Sequence, residues 1–176
     1  SMNTLQSMKA GESFVDLAAV FPKQGSRWDG PAAFASQFES GKAGSLAIGY
    51  DKNGGTSYGK YQIASGPGSM DAFIGWLDRN GQGQTAAALR AAGDANTGSV
   101  IGGMPTVWKN LVSQGRITDD MQRAFIVENN VQPAYESLPP ALKKAIDADP
   151  RLANALYSTA VQHGSSGAVR LFESAA

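Results

Sequence analysis

The stretch that decides the fold comprises residues 29–63 and reads DGPAAFASQFESGKAGSLAIGYDKNGGTSYGKYQI. Its first part is typical of a helix, because Asp29 can cap the N-terminus, Pro31 fits the first turn and Gly41 can end the last. Glu39 therefore belongs to the last turn of this helix. The second part combines turn residues with flanking tyrosines and isoleucines, which predicts a loop or a small β insert.

Helical patterns dominate the rest of the chain. The predicted helices cover residues 13–21, 71–79, 84–92, 105–113, 119–130, 141–148, 151–162 and 166–175. We expect Ser69 and Thr118 to cap two of them. The large apolar side chains at helical spacing are expected in the core: Phe73, Trp76, Leu77 and Trp108.

This pattern predicts a mainly α fold of the α+β class. A helical bundle would carry a small β or loop insert after the helix that holds Glu39, and the insert would form one wall of a substrate cleft. The 176 residues fit a single domain. We expect an N-terminal extension with a short helix over residues 1–28 and a catalytic core over residues 29–176.

The composition excludes several classes of function. Lys plus Arg and Asp plus Glu each number 15, so the chain lacks the basic excess typical of nucleic-acid binding. With no cysteine and one histidine, His163, thiol chemistry and a multi-histidine zinc site are excluded. We expect no metal and no cofactor.

The sequence also bears on location. No stretch approaches the roughly 20 apolar residues of a membrane span. The N-terminus lacks the basic-then-apolar pattern of a secretory signal. If the protein acts outside the cytoplasm, we therefore expect secretion machinery, a phage or a larger parent protein to deliver it.

Glu39 is the candidate catalytic acid. Cutting a glycosidic bond needs a proton donor, and a carboxylic acid serves if its pKa is raised by an apolar setting. The neighbours Phe34, Ala35 and Phe38 are apolar, and a helix C-terminus disfavours negative charge. The same features also fit a solvated glutamate at a helix end.

Three short patches carry a family resemblance: Glu39-Ser40, Gly59-Lys60-Tyr61-Gln62 and Ala160-Val161-Gln162-His163-Gly164. The first two resemble the Glu-Ser pair and the Gly-x-x-Gln segment of the lysozyme superfamily, particularly goose-type lysozymes and soluble lytic transglycosylases. The third is similar to lysozyme-like domains of phage tails and type VI secretion spikes. The resemblance covers residues 30–172.

The resemblance implies a lysozyme-like fold and a peptidoglycan hydrolase. Such a muramidase cleaves the β-1,4 bond between N-acetylmuramic acid and N-acetylglucosamine, with Glu39 as general acid. It further implies that Gln62 helps to hold the sugar, and that Ser40, Gln162 and His163 line the cleft.

Asp51 is the candidate for the second carboxylate. It lies 12 positions after Glu39, and as the base of an inverting enzyme it would stand roughly 6.5–9.5 Å from the acid. Asp51-Lys52-Asn53-Gly54 is equally explained as a turn. In that case the N-acetyl group of the substrate would attack instead, giving an anhydro product as in lytic transglycosylases.

Other side chains of the insert have weaker assignments. Tyr58 and Tyr61 would stack on sugar rings and donate hydrogen bonds, or would serve as half-buried packing. Ser57 would hold a water molecule or the Asp51 side chain. Glu128, on an otherwise apolar helix face, is a reserve candidate for an ionised partner in the cleft.

Several functions besides the muramidase stay open from the sequence. The substrate could be chitin or chitosan, or the domain could bind cell walls without cutting them. The chain could also be a delivered antibacterial toxin. We expect a monomer whose partners are peptidoglycan glycan strands and a cognate inhibitor or immunity protein.

Overall fold

The computed structural model of the protein describes Trp28, residues 44–66 and residues 68–175. Glu39, Ser40 and the predicted helices before Gly41 lie outside these residues. In the described part, a small antiparallel sheet precedes a series of helices. The prediction of a mainly α fold of the α+β class is confirmed.

The predicted insert is a three-stranded sheet. A 3₁₀ turn, Gly44–Leu46, leads into β1 (Ile48–Asp51), β2 (Gly55–Tyr58) and β3 (Ile63–Ala64). The strands pair antiparallel in the order β1-β2-β3, and Gly49 lies opposite Ser57. Because successive residues of a strand point to opposite faces, Tyr58 faces the core and Ser57 the other side.

The helices of the described part are α1 (Ser69–Arg79), α2 (Gly83–Ala91), α3 (Gly103–Ser113), α4 (Asp119–Ile126), α5 (Gln132–Glu136), α6 (Pro140–Ala148) and α7 (Pro150–Ala175). A π-helical turn, Val127–Val131, joins α4 to α5. Gly164, with φ 74° and ψ 175°, interrupts α7. The predicted interruption between the helices over residues 151–162 and 166–175 is therefore confirmed, at this glycine.

One of the two predicted caps is confirmed. The Thr118 side chain accepts a hydrogen bond from the Met121 N–H at 3.1 Å at the start of α4. The prediction for Ser69 is wrong, because Ser69 is the first residue of α1 and Gly68 occupies the cap position. Gly68 has a φ of 83°, a left-handed conformation that glycine adopts without a steric penalty.

The predicted helix end at Asn130 is wrong, because the helical path continues through the π turn to Glu136. Pro133 has no N–H for the carbonyl four residues back, and its ring crowds that carbonyl. A π turn shifts the pairing by one residue, and the Gln132 N–H indeed donates to the Val127 carbonyl. Turns of this kind occur frequently at functional sites.

The core lies between the sheet and helices α1, α3 and α4. Phe73 stacks on Trp76 and contacts Phe125 edge-on, with ring centroids 6.0 and 5.2 Å apart. Leu77 and Trp108 are fully buried, so the predicted core residues are confirmed. Burial of each such side chain contributes about 1.5–3 kcal/mol.

Within the described residues, no helix combines the length and apolar character needed to cross a membrane.

Candidate functional site

A cavity of about 400 Å³ opens where the sheet, the π turn and the break in α7 meet. Its size falls within the usual range for small-molecule sites. Three separate parts of the chain line it: Tyr61, Gln62, Ile63, Ala64 and Ser69; Ile126, Asn129 and Asn130; and Val161, Gln162, His163, Gly164 and Ser165. The structure thus brings together the predicted site residues Tyr61, Gln62, Gln162 and His163.

Gln62 is held in a strained conformation. It is the one non-glycine residue with positive φ, 50°, in the described part of the chain. A left-handed residue with a side chain costs roughly 1–2 kcal/mol, and such strain clusters at functional sites. Both ends of its amide are fixed, since Oε1 accepts from Ser57 Oγ at 2.7 Å and Nε2 donates to the Gly59 carbonyl at 2.9 Å.

Gly49 makes room for this arrangement. A Cβ atom at Gly49 would lie 2.3 Å from Gln62 Oε1 and 2.9 Å from Ser57 Oγ. The Gln62 amide therefore lies across the face of the sheet that carries Ser57. In the structure the hydroxyl of Ser57 hydrogen-bonds Gln62 and orients its amide. The sequence analysis had instead predicted a water molecule or Asp51 as the partner of Ser57.

A buried polar side chain, Gln122, anchors the loop before Gln62. Gln122 is fully buried on α4, and its Oε1 accepts a hydrogen bond from the Lys60 N–H at 2.8 Å. Its Nε2 donates to Ser45 Oγ at 2.7 Å. Trp108 Nε1 donates to the Ser45 carbonyl at 2.7 Å. One buried network thus fixes both the loop and the 3₁₀ turn that follows the Glu39 segment.

Gly59 is the residue that lets the loop lie so close to Gln122. It has a φ of 81°, and a Cβ atom there would lie 2.2 Å from Gln122 Oε1 and 2.6 Å from Trp108 Cζ2. Close packing against Gln122 and Trp108 therefore requires a glycine at the first position of the Gly-x-x-Gln segment. Sequence analysis missed Gln122, although a glutamine between Met121 and Phe125 on a buried helix face was a usable signal.

Sequence analysis also missed the asparagines of the π turn. Asn130 Nδ2 donates to the Ala160 carbonyl at 3.1 Å, and Asn129 Nδ2 donates to Asn130 Oδ1 at 2.7 Å. Both side chains line the cavity. The one sequence feature that pointed to an irregular helix at these asparagines was the nearby Pro133.

The two tyrosines of the insert have different surroundings. Tyr58 is fully buried, donates its hydroxyl hydrogen bond to the Ala95 carbonyl and packs on Trp108. Burial raises the pKa of Tyr58 to about 12. A sugar cannot reach this ring, so the substrate-binding assignment of Tyr58 is corrected to a core role. Tyr61 lines the cavity, and its hydroxyl accepts from Tyr157 at 3.2 Å.

Two candidate carboxylates do not line the cavity. Asp51 is exposed at the hairpin, where its Oδ1 accepts from the N–H groups of Asn53 at 2.8 Å and Gly54 at 2.6 Å. This geometry is that of an Asx turn. Glu128 is exposed and pairs with Arg79 at 3.0 Å. The prediction that Glu128 faces the cleft is therefore wrong.

The described part of the cavity lining contains no acidic side chain and no lysine or arginine. Its described residues contribute amide, hydroxyl and apolar groups together with the imidazole of His163. Over residues 44–66 and 68–175, no cluster of three His, Asp or Glu side chains is placed to hold a metal ion. The arrangement suits an uncharged ligand with many hydrogen-bonding groups.

A comparison with protein families gives one finding that covers most of the chain. Residues 32–176 match the family described as "Type VI secretion system spike protein VgrG3-like, C-terminal". The matched range contains Glu39 and every described residue except Trp28. No curated protein matches the chain.

Proposed function

The chain belongs to the type VI secretion system spike protein VgrG3-like C-terminal family, and from this premise we propose that it is a muramidase delivered to the periplasm of a target bacterium. It would cut the β-1,4 bond between N-acetylmuramic acid and N-acetylglucosamine. The observation that carries this proposal is that residues from two of the resemblance patches share one cavity. Gln62 and the Gln162-His163 pair, from patches 100 residues apart, line it together.

Glu39 is the proposed catalytic acid, and two anchored residues flank its segment. Ser45, six positions after Glu39, is held by Gln122 and Trp108. On the other side, Trp28 Nε1 donates to Gln132 Oε1 at 2.7 Å, directly after the π turn. Both anchors lie beside elements that line the cavity, which supports the assignment.

In the proposed reaction, the Glu39 carboxyl group donates its proton to the departing glycosidic oxygen as the bond to the anomeric carbon breaks. A water molecule bonds to the anomeric carbon in place of that oxygen, and its surplus proton passes through solvent to restore the Glu39 carboxyl group. A positioned general acid contributes typically about 10²- to 10⁴-fold to such a rate. The Gln62 amide, which is already oriented by Ser57 and Gly59, would hydrogen-bond the sugar without further ordering. Preorganisation of this kind lowers the entropic cost of binding.

A lytic transglycosylase is the second candidate. The observation that favours it is the position of Asp51, whose carboxylate holds a turn outside the cavity lining instead of facing it. In that reaction the substrate's own N-acetyl group supports bond cleavage. The C6 hydroxyl of N-acetylmuramic acid then bonds to the anomeric carbon, displaces the N-acetyl oxygen and gives its proton to the Glu39 carboxylate, so no second carboxylate is needed. Glu39 would remain the proton donor.

A chitosanase and a non-catalytic binding domain have less support. Chitosan carries cationic amines, and the described lining of the cavity offers them no carboxylate. A cell-wall-binding domain without activity would not need the Glu-Ser pair formed by Glu39 and Ser40, which this chain contains together with the Gly-x-x-Gln segment.

Digestion of purified sacculi tests the proposal. We expect soluble muropeptides that end in reducing N-acetylmuramic acid when mass spectrometry is applied to the products. An anhydro end on all products would assign the transglycosylase instead. Binding to sacculi without any released product would reject both enzymes and leave a binding domain.

Delivery can be tested in cells. Expression of the chain in the periplasm of a susceptible bacterium should cause lysis, whereas cytoplasmic expression should not. A cognate inhibitor, if one is encoded, would act by covering the cavity around Gln62 and His163. Normal growth with the chain present in the periplasm would contradict the toxin role.

A further inference from the structure

We infer that Asn129 recognises the N-acetyl group of an amino sugar bound in the cavity. This inference rests on the proposed function and deepens it, because it names the substrate group that the site reads and the side chain that reads it. Asn129 lies on the π turn, and it and the sheet residue Gln62 line the same cavity from separate parts of the chain.

The orientation of the Asn129 amide follows from a relay of hydrogen bonds. The Ala160 carbonyl can only accept, so Asn130 must present its Nδ2 there, at 3.1 Å. Asn130 Oδ1 then faces Asn129, which must present its own Nδ2, at 2.7 Å. A backbone carbonyl thus determines both amide orientations. Among the described residues, no donor hydrogen-bonds to Asn129 Oδ1, which leaves this oxygen as an acceptor.

The sheet side of the cavity supplies the complementary group. The Gly59 carbonyl accepts from Gln62 Nε2 at 2.9 Å and so determines the orientation of that amide in the same way. An amide nitrogen carries two hydrogens, so Gln62 Nε2 has one N–H left to donate. The cavity therefore offers an oriented acceptor from Asn129 and an oriented donor from Gln62.

An N-acetyl group needs this combination. Its N–H requires an acceptor, its carbonyl requires a donor and its methyl group requires an apolar contact. Ile63, Ile126 and Val161 line the same cavity and supply apolar surface for the methyl group. A free amine would instead require a carboxylate or several acceptors, and the described lining contains no carboxylate.

Asn130 also connects the π turn to α7. Its hydrogen bond to the Ala160 carbonyl holds the turn against the helix that carries Gln162 and His163. The relay therefore also links two parts of the cavity lining, the turn and α7. Asn130 is thus a positioning residue that acts through Asn129.

The test is a comparison of two ligands in calorimetric titrations. One ligand is the tetramer of N-acetylglucosamine and the other is the glucosamine tetramer, both at mildly alkaline pH so that most free amines are uncharged. We expect the wild-type chain to prefer the acetylated tetramer. Asn129→Ala should lose about three- to tenfold in affinity for it, as one neutral hydrogen bond predicts, and should leave affinity for the glucosamine tetramer unchanged.

Two further variants complete the design. Asn130→Ala should reproduce the selective loss, because Asn129 then loses its orientation. Asn110→Ala, at an exposed position of α3 outside the cavity, is the matched control and should change neither affinity. Equal losses for both ligands, or no loss for the acetylated one, would overturn the inference.

Failure of the inference can be told apart from failure of the proposed function. A wild-type chain that releases muropeptides from sacculi, but whose acetyl preference survives Asn129→Ala, keeps the proposed function and loses the inference. A chain that binds the acetylated tetramer selectively through Asn129, but releases nothing, keeps the inference and loses the enzyme. No binding of the acetylated tetramer by the wild-type chain overturns the inference.

Discussion

Gln122 Oε1 accepts a hydrogen bond from the backbone N–H of Lys60 at 2.8 Å, across 62 residues of sequence. Through this bond a fully buried polar side chain on α4 holds the loop that carries Gln62. The other end of the same side chain holds Ser45, at 2.7 Å. The candidate site therefore depends on a residue that does not line the cavity.

The first prediction concerns Gln122→Leu. The variant should lower the free energy of unfolding by about 1–3 kcal/mol, because the part-buried Lys60 N–H and the Ser45 hydroxyl lose their partner. Urea denaturation followed by circular dichroism measures the loss. Gln114→Leu, at an exposed position after α3, is the control and should change stability by less than about 0.5 kcal/mol. Equal stabilities for the two variants would contradict the role of the network.

The second prediction compares two glycines with similar backbone angles. Gly59 and Gly115 have φ values of 81° and 73°, but a Cβ atom meets Gln122 and Trp108 at Gly59 and nothing within 4 Å at Gly115. Gly115→Ala should cost about 1–2 kcal/mol from backbone strain alone. Gly59→Ala should cost about 1–3 kcal/mol more, because the methyl group overpacks the site. Equal losses in chemical denaturation would show that the loop has room to move.

The third prediction separates stability from activity at Gln62. Gln62→Gly relieves the left-handed strain, so its melting temperature should stay the same or rise. Release of muropeptides from sacculi should nevertheless fall by about tenfold or more, since a hydrogen bond to the sugar is lost. Ser57→Ala keeps Gln62 but removes the bond that orients it, and should cause a smaller loss. Full activity in Gln62→Gly would remove this residue from the site.

The fourth prediction follows from the buried Tyr58 hydroxyl. Burial raises the pKa of Tyr58 from 10.0 to about 12, so the folded chain keeps a proton that the unfolded chain releases. This difference in pKa contributes to the free energy of unfolding. The contribution is fully present below pH 10 and is lost as the pH rises from 10 towards 12. Tyr58→Phe should be less stable at neutral pH, by about 1 kcal/mol for the lost hydrogen bond. Its free energy of unfolding should fall less steeply above pH 10; a parallel fall would contradict the assignment.

Features that depend on neighbouring residues were predictable from the sequence. The Thr118 cap, the break at Gly164 and the buried face of α1 follow from spacing and from residue type. The Tyr58 error was avoidable, since strand alternation does not allow Ser57 and Tyr58 to face the same side. Once residues 55–58 are taken as a strand, the larger and more apolar Tyr58 belongs in the core.

Features that depend on distant residues were not predictable. The resemblance indicated Gln62, Gln162 and His163 separately, but their shared cavity requires the packing of α7 against the π turn. Gln122 and Lys60 contact each other over a long sequence separation, and Asn129 gains its orientation only through Ala160. Hydrogen-bond partners of this kind leave no periodic pattern in the sequence.

The proposed activity depends most directly on Glu39 as the proton donor. The decisive measurement is the release of muropeptides from sacculi by Glu39→Gln, with Glu173→Gln, at an exposed position in the last turn of α7, as the matched control. We predict that Glu39→Gln releases none above background while its melting temperature stays within about 2 °C of the wild-type value, and that Glu173→Gln is fully active. Release by Glu39→Gln at the wild-type rate would contradict the assignment.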